Sequence, residues 1–183
     1  MDESPKPTVK KKSDDPCWFV CFVKPNQEKI ASEQLSRLGF QNYLPIVKEY
    51  HKWSDRMKLV DRVVIPRMIF IRCAPSVRLE PVRQIPSLRY YMSSGRGPYN
   101  PAVIPDAQME AFMAMVASGD SSVAVVTDVI APGDTVLVTE GPLVGYKCQV
   151  SAVSGKKCYV VPLGAIGSAI MEIRTDLVGK VKA

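Results

Sequence analysis

The segment that decides the fold is residues 62–73, RVVIPRMIFIRC. Seven of its twelve residues are Val, Ile, Met or Phe, and they lack the period of two that marks a strand with one wet face. We therefore expect a strand that is apolar on both faces. Because Pro66 has no N–H to donate, the paired segment should be residues 67–73. Helices of the chain can cover one face, and the other face, with Ile65 and Met68 near its end, is a candidate surface for a partner protein.

The composition predicts a globular protein with an anionic partner. The chain has 183 residues, 46% of them hydrophobic, which is enough for one ordinary domain or two small ones. Its net charge of +6 favours nucleic acid as a neighbour, although many basic proteins bind none. We find no apolar run long enough for a membrane span and no signal-peptide core, so we expect a cytoplasmic protein without a membrane contact.

The reactive side chains do not form a pattern typical of metal binding or catalysis. Five cysteines stand at irregular spacings with no CxxC pair, and His51 is the single histidine, so we expect reduced, mostly buried thiols, no metal and no cofactor. No Ser or Cys has a nucleophile motif. The segment Gly95-Arg96-Gly97 lacks the third glycine of a nucleotide-binding loop. The sequence therefore favours a protein that is not an enzyme.

The chain begins with a polar segment followed by a strand and a helix. Residues 1–15 combine charge and proline with few large apolar side chains, which predicts a disordered tail. Residues 17–23, CWFVCFV, predict the first strand, with Trp18, Val20 and Phe22 on one face. Asn26 as N-cap and Gly39 as stop predict a helix between them.

Five further elements complete the first unit: a strand at 40–47, the strand at 67–73, a helix at 77–85, a strand at 88–92 and a helix from Pro105 to Gly119. This order predicts an α+β unit with a mainly antiparallel sheet and flanking helices. The polar connection at 48–61 should form a long hairpin. Residues 48–67 hold six Lys or Arg against three Asp or Glu, with His51 and Trp53 interleaved.

The second half of the chain differs in composition and in the spacing of its apolar residues. Residues 118–130 contain Gly, Asp and three Ser without a helical stripe, which predicts a flexible linker that holds the next unit within about 20 Å of the first. From residue 131 to 183, short β-branched runs alternate with glycines about every ten residues. That spacing is typical of a compact all-β barrel.

Several segments resemble the NusG family of transcription elongation factors. CWFVCFVKPNQEKIASEQLSRLGFQNYLP, VVIPRMIFIRC and VRQIPSLRYYM are similar to the N-terminal domain of that family. Residues 133–150, GDTVLVTEGPLVGYKCQV, resemble its KOW motif, whose pattern is matched by Gly133, Gly141, Pro142, Leu143 and Gly145. The N-terminal segments followed by the KOW motif, in this order, are specific to the family. The resemblance implies a ferredoxin-like N-terminal domain over residues 16–117, joined by the flexible linker at 118–130 to a KOW barrel over 131–183.

The resemblance also implies docking on RNA polymerase. An apolar patch would bind the clamp helices of the largest polymerase subunit, and its members by position are Trp18, Phe22, Ile65, Met68 and Phe70. Val77, Arg78 and Leu79 occupy the place of a contact with the gate loop across the DNA cleft. Bridging the cleft would keep the clamp closed and suppress pausing or termination.

A third set of residues corresponds to a nucleic-acid contact. Specialised members of the family touch the non-template DNA strand, and the matching positions are Lys24, Gln34, Arg37, Arg83 and Gln84. Nascent RNA is the other nucleic acid within reach of such a factor. The family's barrel recruits a small-subunit ribosomal protein or a termination factor. Cys148 replaces a usual glycine, and PLGAIGSAI lacks a usual aromatic, which favours a specialised paralogue that prevents termination at particular operons. We expect the protein to be a monomer.

One alternative is an RNA-binding or ribosome-associated KOW protein. The order strand, helix, strand, strand, helix, strand also belongs to an RNA-recognition motif, which needs exposed aromatic residues on its central strands. The strand at 67–73 offers only Phe70. Binding to isolated RNA, compared with binding to core polymerase, distinguishes the two functions.

Overall fold

The computed structural model describes residues 14–94, 100–119, 123–126, 135–138, 145, 147–153, 156–172 and 178–180. Its strands are β1 (Cys17–Val23), β2 (Gln41–Tyr43), β3 (Ile46–Lys52), β4 (Met57–Val63), β5 (Met68–Cys73), β6 (Leu88–Tyr91), β7 (Val103–Ile104), β8 (Ala124–Val126), β9 (Thr135–Val138), β10 (Lys147–Val153), β11 (Lys156–Pro162), β12 (Ser168–Glu172) and β13 (Val178–Lys180). Its helices are α1 (Glu28–Arg37), α2 (Leu79–Gln84) and α3 (Asp106–Ala117), with a 3-10 turn at Gly164–Ile166.

The N-terminal unit, residues 14–119, is built on an antiparallel sheet in the order β2-β5-β1-β6, with β7 also paired to β1. The two central strands, β1 and β5, are those with apolar residues on both faces. In their register Val20 lies opposite Phe70, and Phe22 lies opposite Met68. The predicted α+β class, with an antiparallel sheet and flanking helices, is confirmed.

One face of this sheet is covered by the unit's own first two helices. Phe19, Cys21 and Ile71 belong to a buried cluster with Ala31 and Leu35 of α1. Burial raises the pKa of Cys21 to about 12 and that of Cys73 to about 11, so both thiols are protonated and unreactive near neutral pH. The prediction of buried thiols is confirmed for these two cysteines; the side chains of Cys148 and Cys158 lie outside the described residues.

The C-terminal unit, residues 123–180, contains a six-stranded antiparallel sheet in the order β13-β9-β10-β11-β12-β8. Its first strand, β8, lies within the range predicted as a flexible linker and pairs with β12, with Val125 opposite Ala169. The flexible-linker prediction is therefore wrong for residues 124–126. Of the KOW-motif positions, Gly145 lies in a turn with φ 84°, which glycine adopts without strain. Gly133, Gly141, Pro142 and Leu143 lie outside the described residues.

Several predicted boundaries shift. The segment at 40–47 forms β2 and the start of β3 rather than one strand, because Pro45 cannot donate to a ladder. Helix α1 begins at Glu28 after Gln27, and Asn26 has φ 60° instead of capping it. The two-residue strand β7 was not predicted. The predicted hairpin is confirmed as the ladder of β3 and β4.

The predicted tail is ordered at its end, where Asp14 accepts hydrogen bonds from the backbone N–H and the hydroxyl of Ser76, at 2.9 and 2.6 Å. These bonds lower the pKa of the Asp14 carboxyl. The tail prediction is therefore wrong for this residue, and residues 1–13 lie outside the described range.

Candidate functional site

The structure brings the predicted polymerase-binding residues together on one face of the N-terminal sheet. Trp18 and Phe22 project from the same side of β1, and Met68 and Phe70 project from that side of the neighbouring strand β5. Ile65, just before β5, joins the same apolar cluster as Trp18 and Phe70. We call these five residues, Trp18, Phe22, Ile65, Met68 and Phe70, the apolar face. The alternation predicted for β1 from the sequence, with Trp18 and Phe22 on one face, agrees with this arrangement.

Contrary to the expectation of an open surface, most of the apolar face is buried. Trp18 is 4% exposed, Ile65 7% and Phe70 0%, whereas Phe22 and Met68 are half-buried. Phe70 lies 5.6 Å, centroid to centroid, from the ring of Phe112 on α3, so the unit's own third helix covers that part. Phe70 is thus a core residue in this arrangement.

The rest of the cover comes from the C-terminal unit. Six of its apolar residues belong to the same continuous buried cluster as Trp18, Ile65 and α3: Val123, Val161, Leu163, Ile166, Ala169 and Met171. Leu163 and Ala169 are fully buried. The prediction that the face is uncovered, with the two units only tethered, is wrong, because apolar residues of the C-terminal unit pack on the face. We call this arrangement the closed state.

Few polar bonds cross between the two units in the described residues. Arg62 Nη2 donates to the carbonyl oxygen of Val123 at 3.2 Å, while its Nε donates to Glu49 at 2.7 Å. Ser118 Oγ lies 3.6 Å from the Met171 sulfur, a weak acceptor. The contact between the units is therefore built largely from buried apolar side chains.

The edge of the apolar face that remains accessible is aromatic. The ring centroids of Phe22 and Tyr90 are 4.9 Å apart, and Tyr90 is 64% exposed. Tyr90 was not among the predicted site residues. The signal was present in LRYYM, because neighbouring tyrosines in a strand point to opposite faces. Its partner Tyr91 is half-buried on the other side and donates its hydroxyl to the carbonyl of Arg78 at 2.6 Å.

A strained residue fixes the start of β5 beside the apolar face. Arg67 has φ 65°, a conformation that costs an L-residue about 1–2 kcal/mol. Its backbone N–H donates to the buried Glu28 carboxylate at 2.9 Å, and its carbonyl accepts from Val23 N–H at 2.8 Å. These bonds hold the turn that delivers Met68 to its place opposite Phe22.

We expect Arg67→Gly to stabilise the protein by up to about 1 kcal/mol, because glycine adopts positive φ without the steric penalty. Urea unfolding of wild type and variant measures this as a higher midpoint. Arg83→Gly is the matched control: the same change inside right-handed α2 should destabilise by about 1 kcal/mol. A lower midpoint for Arg67→Gly would contradict the assignment of strain to that residue.

The predicted gate-loop residues form an accessible corner. Val77 and Leu79 are exposed apolar side chains at the start of α2. Arg78 between them turns inward, donating from Nη1 to the carbonyl of Pro75 at 2.8 Å. The corner therefore presents two apolar side chains to solvent. The Arg78 side chain instead forms a hydrogen bond within the loop.

The predicted nucleic-acid residues fall into two groups. Lys24 and Gln34 line an open groove of about 490 Å³ together with Gln27, Ile30 and Ser87, whose buried hydroxyl has no hydrogen-bond partner. Arg37 and Arg83 are exposed and only loosely paired, with Glu33 at 3.9 Å and Glu80 at 3.2 Å. Gln84 is exposed at the end of α2.

Comparison with known proteins now assigns the family. The model of the family described as "Transcription termination factor nusG" matches residues 16–113, more than half of the chain. The chain belongs to the NusG family. As a NusG-family protein it is a transcription elongation factor, from a class whose partner is RNA polymerase and whose members act without catalysis. No curated protein matches the sequence.

Three solved structures have similar coordinates. The NusG of Thermotoga maritima, from a study of its domain interaction, shares 14% identity at a TM-score of 0.47, covering 92% of this chain and 98% of that one. The MjSpt4:Spt5 complex matches in two conformations: conformation A at 13% identity and TM-score 0.30 over 86% and 99% of the chains, and conformation B at 14% and 0.31 over 87% and 99%.

The described part of this NusG-family protein contains no cluster of three or more His, Cys, Asp or Glu side chains that could hold a metal ion. Within the same residues no helix is long and apolar enough to cross a membrane.

Proposed function

We propose that this protein prevents pausing or termination at particular operons by docking its apolar face on the clamp helices of the largest RNA polymerase subunit. The observation that carries the proposal is the apolar face itself. Its central residues, Trp18 and Ile65, are covered partly by a second unit of the chain, through a contact with few polar bonds. A cover of this kind can be exchanged for a partner.

The chemistry of the apolar face supports docking on a protein. Trp, Phe and Met side chains at the centre of an interface supply most of its binding energy, and methionine adapts its shape to the partner. Phe22, Met68 and Tyr90 form the accessible edge, where the first contact can be made while the C-terminal unit is still in place. Full docking then requires the closed state to open.

A second polymerase contact would keep the clamp closed. Val77 and Leu79 are exposed at the start of α2, away from the cover of the C-terminal unit. We assign them to the gate loop across the DNA cleft, as the family resemblance implies. A factor that holds both sides of the cleft opposes the clamp opening that accompanies pausing.

The groove at Lys24 and Gln34 is our candidate contact for the non-template DNA strand. Lysine suits a phosphate, and glutamine and serine can hydrogen-bond a base edge. Among the described residues the buried Ser87 hydroxyl has no hydrogen-bond partner, and a base bound in the groove could supply one. Arg37, Arg83 and Gln84 extend the contact along exposed helix positions.

We expect Arg37→Ala with Arg83→Ala to weaken binding to a polymerase complex that carries an exposed non-template strand by about tenfold. The magnitude of the salt slope should fall by about 1.4, since two phosphate contacts are lost. Titrations at several salt concentrations measure both. Glu33→Ala with Glu80→Ala is the opposite control: it frees the same arginines and should strengthen binding. Equal losses on polymerase without nucleic acid would contradict a DNA role.

The C-terminal unit acquires its own role once it leaves the apolar face. We propose that it then recruits a ribosomal protein or a termination factor, as the KOW resemblance implies. In the closed state its residues Leu163 and Ala169 are occupied by the N-terminal unit, so docking and recruitment are coupled.

The decisive experiment is a pull-down of core RNA polymerase with the full chain, followed by transcription through a terminator. Binding to the polymerase without nucleic acid, with increased read-through, is the expected result. Binding to isolated RNA without polymerase binding would instead support the RNA-binding or ribosome-associated alternative.

A further inference from the structure

The ladder of β3 and β4 extends from the N-terminal unit as a ribbon that nothing in the described chain covers at its end. Seven residue pairs join the strands, from Ile46 opposite Val63 to Lys52 opposite Met57, a length of about 23 Å. Trp53 N–H donates to the carbonyl of Arg56 at 2.8 Å and closes the tip. Residues 50–59 are all exposed. We call these ten residues the arm.

The arm carries a positive charge because the acids at its base are already paired. Glu49 accepts from Arg62 at 2.7 Å, and Asp61 pairs with Lys29 of α1 at 2.7 Å, which lowers the pKa of the Asp61 carboxyl. Beyond them the arm holds three Lys or Arg against one carboxylate, Asp55. No described carboxylate forms an ion pair with Lys52, Arg56 or Lys58.

An indole ring is displayed among these cations. Trp53 is 56% exposed, and Lys58 Nζ lies 5.9 Å from its ring centroid. Lys58 pairs across the ladder with His51, so Trp53, Lys58 and His51 share one side of the arm. Tyr50 pairs with Leu59 on the opposite side. A flat aromatic ring flanked by mobile cations is suited to stack on a base while the cations bind the adjoining phosphates.

We propose that the arm binds single-stranded nucleic acid, with a base stacked on Trp53 and phosphates bound by Arg56 and Lys58. The site is separate from the groove at Lys24 and Gln34, since none of its residues lines that groove. The positive charge around Trp53 favours nucleic acid over a protein as the partner of the arm. An interface hot spot is usually enclosed by apolar neighbours, whereas the Trp53 ring is exposed and has the ammonium group of Lys58 over it.

The chain provides its own probe for this test. It has two tryptophans, and Trp18 is buried, so a quench of the solvent-accessible emission on adding a 12-nucleotide RNA or DNA strand reports stacking on Trp53. The titration uses the full chain without polymerase. The variants are compared by the fluorescence anisotropy of the same strand carrying an end label, because Trp53→Ala lacks the reporting indole. We expect Trp53→Ala to weaken binding about tenfold, and Arg56→Ala with Lys58→Ala to reduce the magnitude of the salt slope by about 1.4. Comparing RNA with DNA identifies the preferred strand.

Tyr50→Ala is the matched control, because it removes an exposed aromatic from the opposite side of the same ribbon and should change binding less than about twofold. Three results would overturn the proposal: no quench by either strand, equal losses for Tyr50→Ala and Trp53→Ala, or an equal quench by a duplex of the same sequence. Loss of polymerase affinity in Trp53→Ala with unchanged oligonucleotide binding would make the arm a protein contact instead.

Discussion

Leu163→Asp should increase the affinity of the full chain for core RNA polymerase by about tenfold or more. Leu163 is fully buried in the cluster that the C-terminal unit shares with Trp18 and Ile65. Burying a leucine contributes about 2 kcal/mol, and an unpaired carboxylate in its place opposes the contact further. A loss of that size changes the ratio of closed to open molecules by about thirtyfold. Because the apparent affinity scales with the open fraction, polymerase binding rises.

The same charge two residues further along tests whether the effect comes from the contact. Ala165 is exposed, so Ala165→Asp should leave polymerase binding unchanged. If Leu163→Asp instead unfolds the C-terminal strands, the apolar face is still uncovered and the gain persists. Unchanged or weaker binding by Leu163→Asp would show that the C-terminal unit does not compete with polymerase. Biolayer interferometry with immobilised core polymerase measures both variants.

The sequence predicted which side chains share a face but not what covers them. Alternation in CWFVCFV places Trp18 and Phe22 together because successive side chains of a strand point to opposite sides. The cover comes from residues more than 140 positions away, including Leu163 and Met171. Their own pattern, PLGAIGSAIME, predicts burial without saying against which surface. Both partners of a long-range apolar contact look like ordinary core residues when each is considered alone.

The local errors have backbone causes. The apolar content of residues 40–47 predicts one continuous strand. Pro45 has no N–H to donate to such a strand, and the structure has two strands there instead. Ser, Gly and Asp at 118–122 favour a flexible linker over residues 118–130. Val123, 0% exposed, joins the shared cluster, and the backbone of β8 directly after it pairs with β12.

Met68→Asp should abolish polymerase docking, with a loss of about a hundredfold or more. Met68 is half-buried at the accessible edge of the apolar face, opposite Phe22. Docking would bury its side chain under the clamp helices, and an unpaired carboxylate there costs more than the lost apolar contact. Because the same change also loosens the closed state, it should be introduced together with Leu163→Asp, so that both chains compared are already open. Ile65→Asp is unsuitable, since Ile65 is buried and the variant would lose stability.

Met57→Asp controls for the added charge, because Met57 is an exposed methionine on the arm, far along the ribbon from the apolar face. In the open background it should bind polymerase like its parent. The melting temperature of the Met68 variant should stay close to that of its parent, since a half-buried side chain contributes little to the core. Retained binding by Met68→Asp would move the docking surface elsewhere. A large fall in melting temperature would mean that Met68 serves the fold, so that the apolar face exists only to hold the two units together.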